Sequence, residues 1–203
     1  MGAPKLKPRY TPDDYLAFER QSEFKHEFLN GEIIAMAGGT PLHSLIKTNV
    51  VRELSTATMG HRCTTYDCDL RVLVEATGLY TYPDASVFCD PIELEPRRTD
   101  VAVNPTLLVE VLSPSSEAYD RGRKFGHYRQ LASLREYVLV SQEEPRVECF
   151  YKSDQGVWTL TEAVGMDSTL PLVSLGVSLS LRKIFDKVVF EPVELPPQQA
   201  SPE

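Results

Sequence analysis

The fold of this chain is decided by the stretch LLVEVLS at residues 107–113. It is apolar at both odd and even positions, a pattern typical of a β-strand that is buried on both faces in the middle of a sheet. One carboxylate, Glu110, interrupts it. Because an unpaired ionised carboxylate is very costly there, it must take up a proton, bind a cation or meet a hydrogen-bonded partner. Glu110 alone leaves two interpretations open: a structural carboxylate, paired with an arginine or bent toward water, and a cation site.

A second acid lies in the stretch YPDASV at residues 82–87. Asp84 follows Pro83 and precedes a strand-like run at 85–89. Two acids on neighbouring strands can share a divalent cation, because hard oxygen ligands hold such ions well. The two stretches together therefore favour a cation site between Asp84 and Glu110.

Length and composition are those of an ordinary globular protein. The 203 residues, 42% hydrophobic and 25% charged, suit one domain with a sizeable core. No run approaches the roughly 18 to 20 apolar residues that span a bilayer, and residues 1–10 lack the apolar core of a signal peptide. The chain is therefore predicted to be cytoplasmic, with no membrane partner. Its four cysteines show no C-x-x-C spacing and are predicted to be free thiols.

The net charge of −8 argues against a general polyanion-binding surface. Nonspecific affinity for nucleic acids comes from Lys and Arg side chains that neutralise phosphates. A local basic groove is still compatible with this total. An acidic chain with several carboxylates in a site fits a metal-dependent enzyme better than a passive DNA-coating protein.

The remaining patterns predict an α/β fold of the mixed α+β type, with one domain at residues 10–190. A flexible arm (1–9) and a disordered, proline-rich tail (191–203) flank it. Thr11 and Thr40 each precede a proline and predict helix N-termini, and Asn30-Gly31 predicts a two-residue hairpin turn. Predicted helices cover residues 12 to 18 or 20, 41–59, 117–133 and a last stretch to 186. Residues 79–89 are predicted to form one strand and residues 90–104 an exposed loop. The predicted strands begin at residues 25, 32, 64, 69, 79, 107, 136, 146, 157, 170 and 177.

Two side chains on the predicted helices are candidates for the site. Lys124 shares one helix face with Tyr128 and Leu131. Its ordinary interpretation is a pair with Asp120 one turn earlier, worth a few tenths of a kcal/mol; the sharper one is that its ammonium reaches the two site carboxylates. For His43, a hydrogen-bonded structural role is favoured over a ligand role.

These residues resemble a known family. Pro83-Asp84 on one strand, Glu110-Val111-Leu112 on the next and a helix with Lys124 are similar to the PD-(D/E)XK nuclease superfamily and, within it, to the Uma2 family of restriction endonucleases. The likeness covers most of residues 10–187 and includes the stretches YTPDDYL (10–16), EFLNGEI (27–33), MAG (36–38), DLRV (69–72), EVLSPSS (110–116) and KFGHY (124–128). It implies a restriction endonuclease-like core, in which helices flank a central mixed β-sheet.

The resemblance also implies a chemistry. Asp84, Glu110 and the Val111 carbonyl would hold Mg²⁺ or Mn²⁺, and the protein would hydrolyse DNA phosphodiester bonds, acting as a homodimer so that two sites address two strands. The usual lysine two positions after the second acid is Leu112 here, so Lys124 from the following helix would supply the missing charge.

Three weaker candidates and one alternative complete the hypothesis. Glu27 resembles an extra acid of the superfamily and would touch the same metal or a second one; Asp69 and His43 rank below it. The alternative, motivated by Leu112 and by the negative net charge, is a catalytically silent nuclease-like module that binds nucleic acid or protein partners.

Overall fold

The structure, a computed structural model, describes residues 9–190. Apart from residue 9, the predicted arm (1–9) and tail (191–203) lie outside these residues. The elements in chain order are α1 Pro12–Glu19, β1 His26–Leu29, β2 Glu32–Ala35, α2 Pro41–Ala57, β3 Thr64–Asp67, β4 Arg71–Val74, β5 Leu79–Thr81, β6 Ala85–Phe88, β7 Val101–Ala102, β8 Leu107–Val111, α3 Glu117–Tyr119, a π-helical turn Asp120–Lys124, α4 Phe125–Tyr128, β9 Glu136–Val140, β10 Arg146–Lys152, β11 Trp158–Val164, β12 Thr169–Leu172, β13 Val177–Ser180 and α5 Leu181–Ile184.

Most strands belong to two sheets. The six-stranded sheet has the order β11-β10-β9-β8-β6-β3, the five-stranded sheet has the order β2-β1-β5-β4-β7, and β12 and β13 form a separate pair. Strand β8 runs parallel to β9 and antiparallel to β6, which makes the six-stranded sheet mixed. Among residues 9–190, no helix is long and apolar enough to cross a membrane.

The predicted local signals form as expected. Thr11 and Asp14 make a capping box at the start of α1, and the Thr40 side chain accepts from the His43 amide at the start of α2. Asn30 and Gly31 have φ values of 52° and 82°, as a two-residue hairpin turn with two left-handed residues requires. These local structures position β1 and α2, which lie on two sides of the cavity described below.

Strand β8 is buried on both faces, as predicted. Leu107, Val109 and Val111 pack in the cluster that contains the apolar stripe of α2 (Ile46, Val50, Leu54). Leu108 and Leu112 pack in a second cluster with Tyr128 and with strands of the five-stranded sheet. Each such side chain stabilises the fold by roughly 1.5–3 kcal/mol. Glu110 has the parity of Leu108 and Leu112, so it points into the second layer.

The predicted strand at 79–89 is in fact two strands in two sheets. It breaks between β5 and β6, at Tyr82, Pro83 and Asp84, where the chain passes from the five-stranded to the six-stranded sheet. A proline has no N–H to donate to a ladder, so a break here is inexpensive. The switch places Asp84 at the start of β6 rather than within a continuous strand.

Two further boundaries differ from the prediction. The loop 90–104 contains β7, whose Val101 and Ala102 are fully buried beside β4. The helix predicted to reach residue 133 ends at Tyr128 and is interrupted by the π-helical turn Asp120–Lys124. Because its hydrogen bonds reach one residue further than in an α-helix, this turn changes which residues share a face.

The cysteines are not all free. Cys63 and Cys89 form a disulfide between the ends of β3 and β6, whose paired residues Thr64 and Phe88 lie next to them. Their separation of 26 residues carries no recognised spacing, so the prediction of free thiols was wrong for this pair. It is confirmed for Cys68 and Cys149.

Candidate active site

A cavity of about 600 Å³ opens beside the C-terminal end of β8. Its walls come from the β1–β2 hairpin, the start of α2, the loop 113–116 and the π-helical turn. All five residues predicted for the site line it: Glu27, Asp84, Glu110, Val111 and Lys124. The fold therefore brings together groups that are up to 97 positions apart in the chain.

Asp84 and Glu110 are neighbours because of the strand register. Ala85 of β6 pairs with Val109 of β8, so the next pair outward would be Asp84 with Glu110. Asp84 Oδ2 accepts a hydrogen bond of 2.8 Å from the Val111 amide. Neither acid is paired with an arginine in the part of the chain that the structure describes.

Lys124 reaches the site from the helical segment. Its Nζ lies 2.8 Å from Glu110 Oε1, 3.3 Å from Glu27 Oε1 and 3.6 Å from Asp120 Oδ1. Lys124 and Glu110 are each only 5% exposed. The contact with Asp120 exists as the ordinary interpretation predicted, but it is buried and belongs to a cluster of three acids around one ammonium.

Glu110 has a second donor in Tyr128, whose hydroxyl lies 2.7 Å from Oε1. Both donors therefore meet the same oxygen. Glu110 Oε2 has no protein donor within residues 9–190. One oxygen of this carboxylate is held in place and the other is free to bind a ligand.

Burial dominates the electrostatics of this cluster. It raises the pKa of Glu110 to about 8, although Lys124 pulls that pKa down; Asp84 and Asp120 push it further up. Burial alone would lower the pKa of Lys124, but Glu110, Glu27 and Asp120 outweigh it and raise that pKa well above its ordinary value. Burial likewise raises the pKa of Asp120. At neutral pH the site thus holds an ammonium, and Glu110 takes up a proton much more readily than an exposed glutamate does.

His43 and Gln142 fix the orientation of Asp84. His43 Nε2 lies 3.2 Å from Asp84 Oδ1, and Gln142 Nε2 lies 3.2 Å from His43 Nδ1 while it also donates to the Leu112 carbonyl. Since an amide N–H can only donate, Nδ1 is the accepting nitrogen and Nε2 carries the proton toward Asp84. His43 therefore has the hydrogen-bonded role that was favoured for it.

Glu27 and Asp69 have different positions. Glu27 is buried in the cavity wall, where its Oε1 meets Lys124 and accepts from the Thr81 hydroxyl. Asp69 does not line the cavity; its exposed carboxylate pairs with Lys25 at 2.5 Å. Glu27 as a metal ligand stays a prediction, whereas Asp69 is not brought to the acid pair.

Sequence reasoning missed three polar partners. Tyr128 was placed on the correct helix face, but its hydrogen bond to Glu110 has no sequence signal. Gln142 follows β9 by two residues and reaches the site only because β9 lies beside β8. Thr81 meets Glu27 through the pairing of β1 with β5. All three contacts depend on how strands far apart in sequence are paired.

The residues present fit a hard divalent cation. Within the described chain, no group of three or more His, Cys, Asp or Glu side chains is placed to hold a metal ion unaided. Mg²⁺, however, is usually held by one or two carboxylates, and waters and substrate phosphates complete its shell. Asp84 and Glu110 supply two such carboxylates, and the Oε2 atom of Glu110 has no donor among the described residues.

One family model matches most of the chain, and two similar proteins are known by sequence. Residues 12–182 match the family model Uma2, described as "Putative restriction endonuclease". The chain is 37% identical over 183 residues to the uncharacterized protein slr1290 of Synechocystis sp. (strain ATCC 27184 / PCC 6803 / Kazusa), covering 90% of this chain and 95% of that one. It is 35% identical over 164 residues to the uncharacterized protein sll1609 of the same strain, covering 79% and 90%.

A solved structure shares the fold. The crystal structure of "a putative nuclease belonging to DUF820" from Anabaena variabilis ATCC 29413 superimposes with a TM-score of 0.71 at 20% identity, covering 87% of this chain and 98% of that one. The predicted restriction endonuclease-like fold is thereby confirmed.

Proposed function

The chain belongs to the Uma2 family, and from this membership and the acidic cavity we propose that it is a metal-dependent endonuclease that hydrolyses DNA phosphodiester bonds. The observation that carries the proposal is the position of the Lys124 ammonium. It lies 2.8 Å from Glu110, inside the cavity that Asp84 also lines. The charge that Leu112 cannot provide is thus present, delivered by the helical segment instead of the strand.

Asp84, Glu110 and the Val111 carbonyl would hold Mg²⁺ or Mn²⁺. When bound, such an ion lowers the pKa of a coordinated water and offsets the charge that develops on the phosphate. The chain's own task is to keep two carboxylates together in a water-poor place. Val111 N–H and His43 Nε2–H hold the Asp84 carboxylate, and Tyr128 holds one oxygen of Glu110.

Lys124 would act on the substrate side. Three carboxylates keep its ammonium charged and immobile, so its orientation costs little when the substrate binds. An ammonium in this position stabilises negative charge on the phosphate oxygens and on the attacking water. Glu27 and Asp120 would serve to hold Lys124.

Plasmid cleavage tests the proposal. The protein should cut supercoiled plasmid or labelled oligonucleotides in Mg²⁺ or Mn²⁺ and should be inactive in chelator. Asp84→Asn and Glu110→Gln should both be inactive while they remain folded by circular dichroism. Cleavage that survives in chelator, or that is equal in Asp84→Asn, would exclude this site as the catalytic one.

We propose further that a homodimer acts on duplex DNA, because cutting both strands at one place takes two such sites. Light scattering coupled to size exclusion measures the mass directly. A monomer that nevertheless makes double-strand breaks in one binding event would contradict this part.

The catalytically silent module is the competing candidate, and Leu112 at the usual lysine position favours it. Calorimetry with Mn²⁺ separates the two. A working site binds Mn²⁺ in the wild type and not in Asp84→Asn, whereas a vestigial site binds it in neither protein.

A further inference from the structure

A second charged group lies in the same cavity and is not used by the proposed chemistry. Lys25 Nζ and Lys47 Nζ converge on the sulfur of Cys68, at 3.5 Å and 3.3 Å. Lys25 also donates to the Cys68 carbonyl at 2.8 Å. All three residues line the cavity. Two cations from different elements thus meet at one point of its wall.

Their charges are only partly balanced. Lys25 pairs with Asp69, whose side chain is 79% exposed. Lys47 has no carboxylate within 4.0 Å among residues 9–190. Lys47 is close enough to Asp69 for its charge to lower the pKa of that carboxyl, but the two make no ion pair and the nearest polar partner of its ammonium is the Cys68 sulfur. Two ammonium groups that share one exposed carboxylate leave a local excess of positive charge, which favours an anion at this part of the cavity wall.

The lysine pair lies close to the acid site, one helical turn away along α2 and two residues away along β1. Lys47 follows His43 by one helical turn on the same face of α2, which separates them by roughly 5–6 Å. The Lys25 carbonyl accepts a hydrogen bond from the Met36 amide and so extends the pairing of β1 with β2 by one residue. Lys25 therefore lies on the same side of this strand as Glu27, two residues and roughly 6.7 Å away. Both steps lead to the same Cys68 sulfur. If a phosphate lies at the acid site, as the proposed function has it, the next phosphate along the same strand would come to the lysine pair.

The surroundings favour a nucleotide over a free phosphate ion. Phe24, next to Lys25 in the chain, lines the cavity and is 72% exposed, and the apolar side chains of Ile34 and Met36 line the same cavity. An exposed aromatic ring next to a phosphate site is the arrangement that stacks a base in single-strand binding. An isolated phosphate ion would gain nothing from this apolar wall.

We propose that Lys25 and Lys47 form a phosphate subsite that binds a nucleic-acid strand one nucleotide away from the scissile phosphate, with an unpaired base, in a single strand or a locally opened duplex, against Phe24. The location of the scissile phosphate rests on the proposed function; the subsite itself does not. Removing its charge should weaken the binding of a polynucleotide and reduce the salt dependence of that binding.

The experiment measures binding without cleavage. In the Asp84→Asn background, the anisotropy of a fluorescein-labelled single-stranded oligonucleotide gives Kd at several salt concentrations. Adding Lys47→Gln should raise Kd about tenfold or more and flatten the slope of log Kd against log salt by about 0.7. Lys47→Arg should keep both values. Lys183→Gln is the matched control, because Lys183 is an exposed cation that pairs with Glu53 outside the cavity.

Three outcomes overturn the subsite. The first is an unchanged Kd and slope in Lys47→Gln, and the second is an equal loss of oligonucleotide affinity in Lys183→Gln. The third is full displacement of the oligonucleotide by inorganic phosphate at the Kd of phosphate alone, which would indicate a free-anion site. Because the assay needs no turnover, a protein that never cleaves DNA but shows the predicted slope change keeps the subsite and loses only the proposed function.

Discussion

Two buried glutamates on neighbouring parallel strands show how differently one fold treats the same side chain. Glu110 lies near the end of β8 and is 5% exposed; Glu136 opens β9 and is fully buried. Leu107 pairs with Glu136, so the two acids lie at opposite ends of one strand pair. Burial raises the pKa of both carboxyls.

Glu136 is enclosed by neutral donors. Its two oxygens accept from the amides of Val173 and Ser174, at 2.7 Å and 3.3 Å, and from the Ser174 hydroxyl. These hydrogen bonds hold the β12–β13 turn against the sheet. The contacts of Glu110 are uneven: two donors on one oxygen, none on the other, and Asp84 as an acidic neighbour. A buried acid that stabilises the fold is satisfied on both oxygens, whereas one that binds a ligand keeps an oxygen free.

The largest difference is expected in catalysis. Asp84→Asn and Glu110→Gln should each lower the rate of DNA cleavage by about 10³-fold or more, because several kcal/mol of transition-state stabilisation depend on the metal they would hold. Glu136→Gln should cleave at the wild-type rate per folded molecule. Initial rates on plasmid, corrected for the folded fraction, measure this; equal losses in all three variants would remove the distinction between the acids.

The next largest effect is expected for Lys124→Met. It leaves Glu110, Glu27 and Asp120 without their shared cation, and losing one partner of a buried charge cluster costs about 3 kcal/mol. The difference from wild type should shrink in acid, where the three carboxylates take up protons. Urea unfolding at several pH values gives both quantities. Lys183→Met, which removes an exposed cation, should change the free energy of unfolding by less than about 1 kcal/mol.

The sequence predicted the starts of α1 and α2, the hairpin at Asn30-Gly31 and the location of the acid pair, because these depend on local signals such as Thr11, Thr40 and the two-sided apolar run around Glu110. It did not predict the passage between two sheets at Pro83, since a strand pattern does not say with which sheet it pairs. Glu136 was missed for the same reason: its burial depends on the β12–β13 turn. The π-helical turn that buries both Asp120 and Lys124 also has no signal in the residue types.

The same substitution should have opposite effects on stability at the two acids. Glu136→Gln replaces one accepting oxygen with an amino group that faces N–H and O–H donors, so the free energy of unfolding should fall by about 2 kcal/mol. Glu110→Gln keeps an accepting oxygen for Tyr128 and Lys124 and removes the acid next to Asp84, so stability at neutral pH should be unchanged or higher. Thermal and urea unfolding test the signs; a fall of similar size in both variants would make Glu110 another structural acid.

The sharpest test of the contrast is the pH dependence of Glu110. Burial raises the pKa of Glu110 from the ordinary 4.5 to about 8 in the folded state, so its contribution to metal-free stability is fully present below about 4.5 and is lost as the pH rises from there through 8. Binding of Mn²⁺ must displace the same proton, so its affinity should rise about tenfold per unit over that range. Plotted against pH, the metal-free free energy of unfolding and the Mn²⁺ affinity from calorimetry should therefore change slope at the same pH, the first falling and the second rising below it. Both changes of slope should disappear in Glu110→Gln. Changes of slope at two different pH values would mean that the proton released by the metal comes from another group.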